Sequence, residues 1–205
     1  MNSAKFFEQV IILENDRASM TPLMLSDLEA LELIAYHPKI WKVGMSNLTG
    51  PAQLKAYIQT ALAEKESHLS YPFLIFDKQS NRVAGSTRFG NISFENKRLE
   101  IGWTWLHPDF HGTGLNKACK FLLLQFAFEK LGFNRVEIKT DAINHQSRKA
   151  ILNIGAKEEG IFRKHQITSE GRIRDTAYYS IINDEWPAIK TTVFDDFRDQ
   201  EFHVN

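Results

Sequence analysis

Residues 111–116 read His111-Gly112-Thr113-Gly114-Leu115-Asn116. They separate a strand-like run ending at Leu106 from a segment in which Leu115, Ala118, Cys119, Leu122, Leu123, Phe126, Ala127 and Leu131 recur at i, i+3, i+4 and i+7. That spacing predicts one long amphipathic helix, with Gly132 placed to end it. A glycine-bearing turn that opens a helix leaves several backbone N–H groups without intrahelical acceptors, and the helix dipole adds partial positive charge there. Such a turn accepts a phosphate without needing any particular side chain. Two phosphate-binding patterns do not fit. A Walker loop needs Lys-Ser/Thr at the helix start, where this chain has Leu115-Asn116, and a dinucleotide fingerprint needs a third glycine where Lys117 stands.

Outward from the loop, strands and helices alternate. Residues 10–25 read as one opening strand ending at Thr21-Pro22, and Ser26 or Asp27 is placed to cap a helix carrying Leu28, Leu31, Ile34 and Ala35. That helix stops near His37-Pro38, since the residue before proline disfavours the α region. A second helix runs from Pro51 to about Ser67. Strands follow over Tyr71–Asp77, Arg82–Ile92 and Arg98–Leu106. Strict alternation in the last of these puts Ile101, Trp103 and Trp105 on one face, and Glu100, Gly102, Thr104 and Leu106 on the other. After the long helix come a strand over Arg135–Thr140, a helix capped by Asn144 and ended at Gly155, and strands over Glu159–Thr168 and Arg174–Ile182 around a turn at Glu170-Gly171.

Composition sets the class. A chain of 205 residues with 43% apolar and 24% charged residues can fill one core, so a single domain over 1–190 is expected, with a polar, acidic tail over 191–205 that is loosely held from Phe194 on. Acidic and basic residues balance at 25 each, which provides no global field for nucleic acid or an anionic membrane. Cys119 is the sole cysteine, so neither an internal disulfide nor a cysteine-based metal cluster forms, and no metal is expected. With no long apolar run at the N-terminus, a cytoplasmic location is expected.

A second segment, Lys139-Thr140-Asp141-Ala142-Ile143-Asn144-His145-Gln146-Ser147 through Gly155-Ala156, repeats the arrangement of strand end, cap and helix start. Together with the glycine loop it resembles the GNAT superfamily of acyl-CoA-dependent N-acyltransferases, and most closely its RimJ/RimL-like branch of ribosomal-protein N-terminal acetyltransferases. The likeness covers most of the chain and is most specific over 99–182. The superfamily's phosphate loop is written Arg/Gln-x-x-Gly-x-Gly/Ala; aligned on Gly114, this chain has His111 and Asn116 at the first and last of those positions. Asn144-x-x-Ser147 and Gly155-Ala156 match the second motif. The resemblance implies an α/β (α+β) fold: a mixed, mainly antiparallel twisted sheet of about seven strands with helices on both faces.

It also implies chemistry. Acetyl-CoA would be the co-substrate, its phosphates on His111, Gly112, Thr113, Gly114, Leu115 and Asn116, its pantetheine arm between the splayed strands and paired near Trp105 and Leu106, and its thioester beside Gly102–Thr104. Lys117, Lys120, Arg148 and Lys149 lie near the two helix starts and are placed to meet the phosphates, though each also reads as an ordinary solvated helix charge. Asn144 would cap its helix and hold a pantetheine amide, and Ser147 would serve the sulfur. For the base, Glu100, His165 and Asp175 stay open, each with a plain structural alternative. His111 is assigned to the phosphate, Cys119 to the core, and Trp41, Trp103 and Trp105 to either an acceptor pocket or packing. The implied reaction moves an acetyl group to a primary amine: a protein N-terminus or a small molecule such as an aminoglycoside or polyamine. A bulkier donor such as succinyl-CoA, or a CoA-binding sensor without transfer activity, is the alternative. A homodimer is a family-level expectation.

Overall fold

Eight strands form one sheet, with alternate residues buried most clearly along β6 (Arg135–Asp141), as described by a computed structural model over residues 3–43 and 45–197. In chain order the elements are α1 (Ser3–Glu8), β1 (Leu13–Glu14), β2 (Ala18–Pro22), α2 (Leu28–Ala35), α3 (Pro38–Trp41), α4 (Pro51–Glu66), β3 (Ser70–Asp77), β4 (Arg82–Ser93), β5 (Arg98–Leu106), α5 (Leu115–Gln125), β6 (Arg135–Asp141), α6 (His145–Leu152), β7 (Lys157–Ile167), β8 (Ile173–Ile182) and α7 (Trp186–Thr192). The strand order is β1-β2-β3-β4-β5-β6-β8-β7. Neighbours are antiparallel except β5 and β6, which run parallel. Among the described residues no helix is long and apolar enough to cross a membrane.

Two apolar clusters occupy the two faces. Phe73 and Ile75 of β3 point into one with α1, α5 and α7, while Leu74 between them packs against the other, built on α2 and α4. This is the expected fold, with helices on both faces of a mixed sheet.

Three local expectations need correction. Residues 10–25 form two strands instead of one, because the Asn15 side chain accepts from Arg17 N (3.0 Å) and Ala18 N (2.8 Å) and turns the chain back on itself. The long helix is α-helical only to Gln125; Phe126–Lys130 widens into π-helical turns before Gly132, at φ 65°, ends it. The tail is not loose at its start. Phe194 is fully buried against Phe121 and Trp186, Phe197 stacks on Phe121, and Asp196 accepts from Lys117 Nζ at 3.1 Å. The expected tail beyond Phe197 lies outside the described residues. The sequence pattern does not predict α1, α3 or α7, yet Phe6 and Phe7 of α1 and Trp186 and Ile189 of α7 are buried in the α5-side cluster.

The sheet edge at β7 carries a testable ion pair. Arg135 of β6 clasps Glu159 of β7 through both guanidinium nitrogens, and Ser180 Oγ also donates to Glu159 at 2.7 Å. The guanidinium holds the Glu159 carboxyl well below its ordinary value, down to about 2. A carboxylate depressed in the folded state stabilises it fully above the unfolded value and loses that contribution as pH falls through the folded one. Glu159→Gln is therefore expected to lower the unfolding free energy at pH 7 by about 1 kcal/mol or less, since the pair is partly exposed and screened. In urea melts the difference from wild type should shrink between pH 4.5 and pH 2. An equal difference at pH 7 and pH 2 would refute the ion-pair account.

Candidate active site

The loop from 111 to 114 delivers the chain into α5 through two left-handed glycines, Gly112 (φ 74°) and Gly114 (φ 88°). A side chain at either would meet no atom within 4 Å, so glycine is required there by conformation and not by crowding, and the space above the loop is open. Thr113 Oγ1 donates to Phe110 O (2.9 Å) and pins the turn from beneath. Leu115 is buried in the core, fixing the helix start. Ala118 is the first residue of α5 whose N–H finds a helical acceptor, at Gly114 O (3.0 Å). Among the described residues the N–H groups of Gly112, Thr113, Gly114, Asn116 and Lys117 have no partner, which leaves an anion cradle of backbone donors at the positive end of a helix.

A second helix start faces the same gap. Asn144 Oδ1 accepts from Ser147 N (3.0 Å), capping α6, and Asn144 Nδ2 donates to Val43 O (3.4 Å). The half-buried Ser147 hydroxyl has no hydrogen-bond partner among the described residues. Between the two helix starts the sheet opens. β5 and β6 pair over only three positions, Arg98↔Arg135, Leu99↔Val136 and Glu100↔Glu137. Past Glu100, β5 continues along β4 and β6 continues along β8, with no pairing between them. The expected splay is present.

A bulge accompanies it. Trp103 has φ 49°, and β5 spends Gly102 to Trp105 opposite the shorter run Arg88 to Ser86 of β4. Strict alternation therefore fails. Ile101 and Leu106 enter the same α5-side cluster and Trp105 the opposite one, while Thr104 Oγ1 meets Thr87 Oγ1 (2.7 Å) and Lys120 Nζ (2.9 Å) from α5. Glu100 does not share a face with Thr104, contrary to the alternation. The Trp103 ring swings over Gly90, where an added Cβ would stand 2.3 Å from it, and lies 41% exposed beside the Arg88 guanidinium at 5.5 Å.

The remaining candidates are placed as follows. Glu100 Oε2 accepts from Lys139 Nζ (2.7 Å) and Asn91 Nδ2 (2.6 Å), which is the cross-strand ion-pair role. His165 is exposed, 3.4 Å from Tyr178 OH, and Lys139 Nζ sits 4.8 Å over the Tyr178 ring, so Glu100 and His165 belong to one chain of contacts. Asp175 Oδ1 instead accepts from Lys164 N (2.6 Å) inside its own hairpin. His111 turns Nε2 to Leu106 O (3.1 Å), at the end of β5. Of the four cations expected near phosphate, Lys117 pairs with Asp196, Arg148 with Tyr179 and Glu158, and Lys120 points inward to Thr104; Lys149 is exposed. Trp41 lies 5.5 Å from Trp105 and 6.5 Å from Tyr57 on the α4 side. Burial pushes the Cys119 thiol up to about 12, consistent with a packing role. Sequence reasoning missed Lys139, Tyr178, Asn91 and Arg88; the only signal was Gly90 opposite an aromatic strand.

A profile of the GNAT acetyltransferase domain matches residues 17–157. An uncharacterised N-acetyltransferase of Bacillus licheniformis, p20, is 26% identical over 175 residues, covering 85% of this chain and 97% of that protein. A candidate ribosomal N-acetyltransferase of Bacillus subtilis strain 168, YdaF, is 34% identical over 108 residues, 53% of this chain and 58% of its own length. The crystal structure of a candidate acetyltransferase from T. thermophilus superposes with a TM-score of 0.82 at 30% identity, over 91% of this chain and 96% of that one.

The capping geometry makes one prediction independent of any ligand. Asn144→Ala should lower the unfolding free energy by about 1 kcal/mol, and Asn144→Asp should restore most of it. Amide exchange at Ser147 should speed up in the alanine variant alone. Equal exchange in all three proteins would remove Asn144 from the cap.

Proposed function

The chain belongs to the GNAT acetyltransferase family, and on that premise we propose that it transfers an acetyl group from acetyl-CoA to a primary amine by direct attack. One observation carries the reading: two helix starts, at Leu115 and at His145, open onto one gap between parallel strands that stop pairing after Glu100. Backbone donors at Gly112, Gly114 and Asn116 suit a pyrophosphate, and the unpaired inner edge of β5 past Glu100 suits an extended amide-bearing arm. When bound, acetyl-CoA supplies an activated acyl carbonyl.

The protein's own groups divide the work. Gly112 to Asn116 bind, and Asn144 orients α6 so that Ser147 presents a free hydroxyl to the gap. Trp41, Trp103 and Trp105 on the α4 side wall the route by which an amine arrives. Glu100 and Lys139, paired across the two strands, hold charge beside that route, and His165 reaches it through Tyr178. A protein N-terminus is the acceptor class to test first, because a relative is named for ribosomal acetylation. The acyltransferase domain, expected over 1–190, would extend at least to Phe197, whose ring packs on Phe121.

Thiol release from acetyl-CoA across N-terminal peptides, polyamines and aminoglycosides tests this. We expect turnover with at least one peptide amine, and Ser147→Ala should lower kcat by roughly 10- to 100-fold with a smaller change in KM. Saturable CoA binding with no release on any amine would favour a sensor; release with succinyl-CoA but not acetyl-CoA would change the donor. Failure to bind CoA would overturn the site.

A further inference from the structure

Lys120 lies in the second turn of α5 and is only 6% exposed. Its ammonium donates to Thr104 Oγ1 at 2.9 Å, and among the described residues it has no carboxylate partner and no other hydrogen bond. Burial pushes this ammonium down to about 8. A buried cation without a counter-charge costs the fold more than an apolar side chain of similar size would. Among the described residues the other buried charged side chains on β4, β5, β6 and β8 have an opposite charge within 4 Å: Arg88 has Glu64 (2.8 Å), Glu100 has Lys139 (2.7 Å), and Asp141 has Arg172 and Arg174. Lys120 stands apart from them.

Its position narrows the partner. Thr104, the residue it touches, is exposed and lies on the length of β5 that has left β6. Lys120 thus sets a buried ammonium directly behind an exposed hydroxyl, on the length of β5 that no longer pairs with β6. We propose that Lys120, with Thr104, is the contact for the sulfur end of a CoA thiol or thioester; this rests on the acetyl-CoA reading above. The lysine is then kept for an electron-rich sulfur and not for phosphate. A plain structural role makes the opposite forecast. The hydroxyls of Thr87 and Thr104 both lie 3.4 Å from Gly102 O, inside the bulge, and a lysine that only propped that network would stabilise the fold.

Calorimetric titration of wild type and Lys120→Met with CoA, desulfo-CoA and adenosine 3′,5′-bisphosphate, together with ligand-free melting temperatures, separates these. Wild type is expected to prefer CoA over desulfo-CoA by roughly tenfold, the effect of one charge-assisted contact. Lys120→Met should lose that preference, bind the bisphosphate within about twofold of wild type, and melt at the same temperature or higher. A preference retained in the variant, a wild type that has none, or a variant that melts several degrees lower would overturn the proposal while leaving the CoA site standing. Failure of wild type to bind any of the three nucleotides would instead overturn the CoA site itself.

Discussion

Between Arg98–Glu100 and Arg135–Glu137, three parallel residue pairs join the five strands on one side of the sheet to the three on the other. Two of the three pairs set like charges opposite each other, Arg98 against Arg135 and Glu100 against Glu137, which on its own disfavours the register. Diagonal contacts relieve this. Glu137 lies 3.6 Å from Arg98 and Glu100 reaches Lys139 at 2.7 Å, while along β6 itself Glu137 also accepts from Arg135 (3.1 Å). The seam is thus stitched by charge at the point where its backbone pairing ends. Both helix starts that frame the site are positioned by strands leaving this seam.

Why pairing ends there is a matter of backbone geometry. Trp103, a bulky residue in a left-handed conformation, stores strain of order 1 kcal/mol or more, and such positions persist only when their surroundings over-determine them. Here Gly90 yields room for the ring, and Arg88, nearly fully buried and paired with Glu64, lies beside it. The bulge increases local twist and sends β5 away from β6. The exposed backbone edge that results is costly in a sheet interior and useful only if something pairs with it.

Much of this was legible in the residues. Period-two and period-3.6 patterning located β3 to β8, α2, α4 and the start of α5, because their apolar faces repeat over enough residues to be distinctive. Gly112, Gly114 and Asn144 were readable for a different reason, since a left-handed turn and a helix cap demand particular residue types. What was not legible depended on partners distant in sequence. The docking of Phe194 on Phe121 is a contact across 73 positions of chain; the turn at Asn15, whose side chain accepts from Arg17 N and Ala18 N, is the local exception. The bulge at Trp103 has no local marker, and missing it placed Glu100 and Thr104 on one face. Lys120 looked like a phosphate ligand by its place near a helix start, yet its helical phase turns it into the sheet.

Hydrogen exchange of the wild-type chain with and without acetyl-CoA bears most directly on the central claim, that the splayed seam and the two helix starts form one binding site. Protection is expected in peptides spanning 101–106, 111–117 and 144–147, the splayed length of β5 and the two helix starts, while peptides from α4 and from the β1–β2 hairpin stay unchanged. Protection confined to the glycine loop, with 101–106 exchanging as before, would contradict the account.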